Sequence, residues 1–216
     1  MDIVGYQSSA DIFTINGILV YPAYSAQLFD KDAANPYTPA IEIWPASMEQ
    51  CYQDDLTEQL QRLFTLLEVM TGIYNVESRV CSNGKAYIME VSPRGGGNRI
   101  AELQDMATSQ SLIRAEICKA LSIPLKEITT PEYDGVWCNY ILHSSVEGTL
   151  ESIDINPEFK QKYVKDKGFI VEKGDYIMPF TGANTSLGTI FLRVETRKEL
   201  DLLLSEIDKY IQIKLS

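Results

Sequence analysis

Ser82-Asn83-Gly84-Lys85 lies between two alternating runs, Ile73 to Cys81 and Ala86 to Ser92, and constrains this chain more than any other stretch. Asn-Gly is the strongest short hairpin signal, because both residues tolerate the positive φ that a tight turn between right-twisted strands requires. A two-residue type I′ loop at Asn83-Gly84 pairs residues whose numbers sum to 167, which sets Glu77 opposite Glu90. Side chains alternate along a strand, so Asn75, Arg79, Ile88 and Ser92 are expected on the face of the two acids. Tyr74, Val76, Val80, Tyr87, Met89 and Val91 are expected mainly on the other face, as core.

Directly opposed side chains stand roughly 4.5–5.5 Å apart at Cβ, where like charges are destabilising. With an effective dielectric of about 20, two carboxylates ~5 Å apart repel by on the order of 3 kcal/mol, more than an exposed ion pair to Arg79 returns. A divalent cation offsets that repulsion. Magnesium takes one or two carboxylates together with water and substrate phosphates, so the pair points to a magnesium-nucleotide site. A solvated sheet face, with Arg79 between the acids or water screening them, is the reading that the hairpin alone leaves equally open.

The second strand runs into Ser92-Pro93-Arg94-Gly95-Gly96-Gly97-Asn98-Arg99, and a helical pattern begins near Ile100. Proline stops the strand, and the glycines let backbone approach a ligand closely. Three glycines alone are more often a mobile turn. Here Arg94 and Arg99 bring positive charge within a few residues of the acids. Acids for metal, arginines for phosphate and backbone donors at a helix start together make a phosphoryl-transfer constellation.

Tyr74-Asn75-Val76-Glu77-Ser78-Arg79, Asn83-Gly84 and Tyr87-Ile88-Met89-Glu90-Val91-Ser92-Pro93-Arg94-Gly95-Gly96-Gly97-Asn98-Arg99 resemble the metal-binding end of an ATP-grasp domain. That superfamily includes carbamoyl phosphate synthases, biotin carboxylases, D-alanine ligases and L-amino acid ligases. The resemblance implies ATP and magnesium as cofactors, with Glu77 and Glu90 as the metal-binding acids. It puts Ser92 where the family usually has a metal-ligating asparagine, a departure that a hydroxyl oxygen can still serve directly or through water. Arg94 resembles the arginine that handles phosphate and the acyl-phosphate intermediate, with Arg99 as its catalytic neighbour, and Met89 would pack the adenine. Upstream, Gly5 to Tyr24 reads as another hairpin turning at Asn16-Gly17, with Phe13, Ile15, Ile18 and Val20 as its apolar residues. It is similar to the family's first hairpin beyond the adenine hinge, where an acid touches the nucleotide ribose. Asp11 is the candidate for that contact, and an outward polar residue on a half-buried strand is its alternative reading.

Residues 1–6 resemble the continuation just after the hinge. The chain is thus expected to be the second half of an enzyme whose nucleotide-binding lysines and glycine-rich flap lie elsewhere: a truncated piece, a broken gene or one subunit of a split enzyme. Its 216 residues and 45% hydrophobic content suit one large or two small domains with a sizeable core. No run of about 18 apolar residues or signal-peptide pattern appears, so no membrane association is expected. Cys51, Cys81, Cys118 and Cys138 lack Cys-x-x-Cys spacing and read as free thiols in a reducing cytoplasm. The formal charge of -11 argues against nucleic-acid binding, which lysine and arginine drive by releasing counterions.

Elsewhere, Asn35-Pro36-Tyr37-Thr38-Pro39 reads as a connector. Leucines at 56, 60, 63 and 67 recur at helical spacing between Met48 and Met70, with Gly72 as the stop. Ser109 to Leu121 is a second amphipathic helix, and Pro124 marks a domain boundary. Beyond it, Val136 to His143, Thr149 to Ile155, Gly168 to Glu172 and Thr189 to Val194 read as strands, and Pro157 to Tyr163 as a short helix. Thr196 and Glu199 form a capping box opening a last helix that carries Leu200, Leu203, Leu204, Ile207 and Ile211. His143, the sole histidine, reads as structural.

The expected fold class is α+β: residues 1–123 as the C-terminal subdomain of an ATP-grasp domain, an antiparallel sheet with helices, and residues 124–216 as a small α+β lobe. That lobe is similar to the one appended to ATP-grasp amino acid ligases. The expected function is therefore an ATP-dependent carboxylate–amine ligase acting through an acyl phosphate on small-molecule carboxylate and amine substrates. The isolated chain is expected to be inactive without its other half. The alternative is a noncatalytic remnant or a subunit of a split carbamoyl phosphate synthase-like enzyme, with a complementary chain and homo-oligomerisation both left open.

Overall fold

In the computed structural model, which describes residues 6–216, the chain is α+β. The reading of residues 1–5 as a continuation of the hinge lies outside the described residues. In chain order come β1 (Gln7–Ile15), β2 (Ile18–Tyr24), β3 (Ala26–Phe29), β4 (Pro39–Trp44), α1 (Gln50–Leu66), β5 (Gly72–Val80) and β6 (Ala86–Ser92). Then follow α2 (Ile100–Thr108), α3 (Leu112–Ala120), β7 (Val136–Leu142), β8 (Gly148–Ile155), α4 (Pro157–Tyr163) and β9 (Val164–Phe169). The last are β10 (Tyr176–Ile177), β11 (Gly188–Val194), α5 (Arg197–Ser205) and β12 (Ile211–Leu215). No helix among the described residues is long and apolar enough to cross a membrane.

Contacts divide the chain into two compact units, Met1–Gln27 with Ile43–Tyr133, and Leu28–Glu42 with Asp134–Ser216. The sequence reading divides it after residue 123; the contacts carry the first unit ten residues further, to Tyr133, and give 28–42 to the second. The first unit is built on an antiparallel sheet of order β2-β1-β5-β6. Helix α1 covers one face, where Leu56, Leu60 and Phe64 pack on Ala10, Ile12, Val76, Val80 and Ala86. On the opposite face Leu112 and Ala115 of α3 cover Phe13, Tyr21, Ala23 and Ile73. The other end of that face is polar.

The second unit holds most of a sheet of order β3-β4-β7-β11-β9 and the whole of a smaller one of order β10-β8-β12. Its core includes Trp137, Cys138, Ile141, Ile190, Phe191 and Leu192, with α4 and α5 lying against β11. Thr196 Oγ1 accepts from the Glu199 N–H at 3.2 Å, so the helix start read from the capping box holds. The helix stops at Ser205, however, and Ile211 belongs to β12, where it pairs with Ile155. Similarly, α1 ends at Leu66, Glu68 turns to φ 51°, and Gly72 opens β5. Strand β9 runs over Val164–Phe169, earlier than expected.

The register of β5 and β6 differs from expectation in an instructive way. Near the turn the pairs are Val80↔Ala86, Arg79↔Tyr87 and Ser78↔Ile88, one residue short of the expected register. The Gly84 N–H bonds to Cys81 O at 3.0 Å, Cys81 N–H bonds to Lys85 O at 2.9 Å, and only Gly84 has positive φ, at 72°. The loop is therefore the three-residue kind, a type I turn closed by a left-handed glycine. A bulge at Met89 then restores one residue, and Glu77↔Glu90, Val76↔Val91 and Asn75↔Ser92 pair as expected. Between turn and bulge the faces are exchanged: Ile88 packs on the α1-side core, while Tyr87 and Met89, expected in the core, are exposed.

Candidate functional site

Two rows of side chains cross the polar end of the sheet. Ser9, Glu77 and Glu90 form one, and Asp11, Asn75 and Ser92 the next. Glu77 is half-buried and Glu90 exposed. Ser92 Oγ donates to Glu90 Oε1 at 2.7 Å, orienting that carboxylate. Partial burial holds the Glu77 carboxyl above its usual range, and the facing Glu90 pushes the same way while Arg94 opposes. Among the described residues neither acid has an ion-pair partner. Arg79, the expected alternative screen, instead donates through Nη2 to Gln7 Oε1. Screening by Arg79 is thus not how the structure answers the repulsion.

Beside the acids the glycine loop lies on the sheet. Asp11 is wholly buried, and its Oδ1 accepts from the Gly96 N–H at 2.8 Å and from Asn75 Nδ2 at 3.0 Å. Its Oδ2 is buried without a hydrogen-bond partner. Burial pushes the Asp11 carboxyl up to about 6, against the opposing effects of the Asn75 and Gly96 bonds and of Arg94. A Cβ on Gly96 would stand 2.7 Å from Ile100 Cδ1, 2.9 Å from Asp11 Oδ1 and 3.0 Å from Asn75 Nδ2, so a side chain there lifts the loop. At Gly97 nothing lies within 4 Å of that position, leaving open space over the loop. Arg94 is exposed, donates through Nη1 to Gly95 O at 2.8 Å, and acts electrostatically on both Asp11 and Glu77.

The helix start is arranged differently from the phosphate cradle expected of it. Asn98 and Arg99 adopt φ of 50° and 61°, the Ile100 N–H bonds to Gly97 O, and the Glu102 and Leu103 N–H groups bond to Arg99 O. Those donors are thus engaged within the loop-to-helix corner itself. Arg99 turns along its own helix, its Nε donating to Glu102 Oε2 at 2.8 Å. Met89, the bulge residue beside Glu90, is 51% exposed, so its thioether is available to a ligand. Asp11 presents no exposed oxygen for a ribose hydroxyl in this arrangement, nor is it the outward polar residue of the alternative reading, because the loop covers it.

The donor set of Glu77, Glu90 and Ser92 is all oxygen, which suits a hard cation such as magnesium. No cluster of three His, Cys, Asp or Glu side chains that could hold a metal occurs among the described residues. In the second unit His143 faces acceptors at both ring nitrogens, the Ile141 carbonyl at 2.7 Å and Asp30 Oδ2 at 3.0 Å, and stacks on Phe180, as a structural imidazole does. The role of Asn75, which ties Asp11 to the second row, was missed in the sequence. Its only local signal is its place two residues before Glu77 on the polar face.

No family model and no curated protein matches the chain. Solved structures do. An L-amino acid ligase from Bacillus licheniformis superposes with a TM-score of 0.82 at 22% identity, over 99% of this chain and 53% of that one. Phosphoribosylglycinamide synthetase from Anaerococcus prevotii gives 0.79 at 18%, over 99% and 54%. The biotin carboxylase domain of Hydrogenobacter thermophilus 2-oxoglutarate carboxylase, complexed with MgADP, ADP and bicarbonate, gives 0.72 at 12%, over 98% and 46%. At these identities the likeness is one of fold, and the chain spans about half the length of each of these structures.

Proposed function

We propose that this chain, whose fold matches about half the length of the ligase and carboxylase structures above, is the second half of an ATP-grasp enzyme and supplies the metal- and phosphate-binding side of an ATP- and magnesium-dependent carboxylate–amine ligase. The observation that carries the reading is the opposition of Glu77 and Glu90, with no ion pair to either among the described residues, beside Arg94 and an open glycine loop. Bound to the two acids, magnesium would lend positive charge to the phosphate oxygens of ATP. Glu77 and Glu90 hold it, and Ser92 keeps the Glu90 carboxylate in place. Arg94 neutralises charge on the transferring phosphoryl group and on the acyl phosphate that the amine then attacks. Met89 offers apolar surface to the adenine.

The remaining nucleotide contacts and most of the substrate site come from a complementary segment or chain, and the isolated chain turns over no ATP. The match to an L-amino acid ligase supports amino acid substrates, and the four unpaired cysteines support a reducing cytoplasm. Manganese titration followed by electron paramagnetic resonance tests the metal site without turnover. The wild type should bind, and Glu77→Gln and Glu90→Gln should each bind about tenfold more weakly, the loss of one charged ligand. No binding by the wild type, or binding unchanged in both variants, overturns the reading.

A further inference from the structure

We infer that Asp11 is a positioning residue: its buried carboxylate latches the glycine loop to the sheet and so sets Arg94 beside the acid pair, making phosphate binding depend on Asp11 while metal binding by Glu77 and Glu90 does not. The binding clause rests on the function proposed above; the latch does not.

One oxygen, Asp11 Oδ1, serves two donors from different parts of the fold: Asn75 Nδ2, directly across on β5, and the Gly96 N–H, 85 residues away in the loop. Bonds such as Arg94 N–H to Ser92 O and Ile100 N–H to Gly97 O are local, and local bonds do not choose where a loop lies on a sheet. The Gly96 contact does, and the missing side chain there is what lets the backbone come so near. An asparagine could accept the same two bonds without burying a charge. What the carboxylate adds is its charge, which acts on Arg94, a side chain that also acts on Glu77. A buried acid with one oxygen left unbonded is a costly way to hold a loop, and it is explained if its charge holds an arginine in place as well. Glu77 and Glu90 stand on paired strands, so their geometry does not pass through the loop.

The test uses the full chain as wild type, Asp11→Ala and Asp11→Asn, with three readouts: exchange of the Gly96 amide by NMR, manganese affinity, and affinity for ADP with magnesium by calorimetry. In Asp11→Ala the Gly96 amide should exchange at least about tenfold faster and ADP affinity should fall about tenfold, the scale of one charge-assisted hydrogen bond. Manganese affinity should stay within about twofold. Asp11→Asn should restore protection of Gly96 and leave ADP binding between the other two. An unchanged Gly96 exchange in Asp11→Ala overturns the latch. Equal losses of manganese and ADP overturn the positioning role in favour of a general loss of structure. A wild type that binds neither probe overturns the functional reading and the binding clause with it, and the exchange measurement still decides the latch.

Discussion

The two Asn-Gly hairpins of the first sheet begin from one dipeptide and end as different loops. At Asn16-Gly17 both residues take positive φ, 51° and 81°, and Ile15 pairs with Ile18 across a two-residue turn. That turn is sealed from outside: Gln61 of α1 donates to Gly17 O, the Leu19 N–H donates back to Gln61, and the Asn16 N–H donates to Thr71 Oγ1. At Asn83-Gly84 the loop takes in Ser82 as well, and the Asn83 side chain accepts from the Lys85 N–H within the turn. The first hairpin carries the buried Asp11 and the second the exposed Glu90. The dipeptide therefore specifies that the chain reverses, and the surroundings decide how. Where distant groups grip the turn it is two residues long, and where the turn makes its own bonds it takes in a third; a bulge follows in each hairpin, at Val20 in the first and at Met89, beside the acid pair, in the second.

The sharpest way to break this contrast is to titrate the sealed hairpin. Because burial raises the Asp11 carboxyl from its usual 3.8 to about 6, the folded chain holds a proton that the unfolded chain has released. The Asp11 contribution is therefore fullest below about 4 and is lost as pH rises through 6, by roughly 3 kcal/mol in all. Urea unfolding from pH 4 to 7 should show Asp11→Asn gaining on the wild type over that window and level above it; a constant difference would refute the burial argument.

Gly17→Ala comes next. It adds a Cβ at φ 81° and 2.9 Å from Val69 O, for a cost of about 2 kcal/mol in thermal unfolding. Gly84→Ala meets the same backbone penalty at φ 72° but only Tyr52 Oη at 4.0 Å, so about 1 kcal/mol is expected. Equal losses would mean that the two turns are equally gripped. The smallest effect is deletion of Ser82, which leaves Asn83-Gly84 as a two-residue loop between the bonded Cys81 and Lys85. With the bulge in charge of the register, stability should change by no more than about 0.5 kcal/mol and manganese affinity by less than about twofold. A larger loss would move control of the site from the bulge to the turn.

Local pattern was sufficient to read both reversals, the buried Leu56 and Leu60 of α1 though not Leu67, which lies past the helix and is exposed, the Thr196 N-cap though not its reciprocal bond, and the opposition of Glu77 to Glu90. Each of these depends on residues within a few turns or on the two-residue period of a strand, and neighbours in sequence encode both. The expected register reached the correct pair at the acids because a longer turn and a bulge, each worth one residue, cancel there. They do not cancel between the two features, which is why Ile88 and Met89 changed faces. Strands β3, β4, β10 and β12 were not foreseen either. Ile211, Ile213 and Leu215 of β12 do alternate with polar residues, but the run is five residues long and acquires a role only by pairing with β8. Asp11, one of several polar residues in β1, revealed nothing locally of its contact with Gly96. In this protein the sequence by itself determined where the chain turns and which stretches alternate as strands. The tertiary structure decided the loop size, the bulge and the burial of Asp11, because each is set by hydrogen-bonding and packing partners that only folding brings within reach.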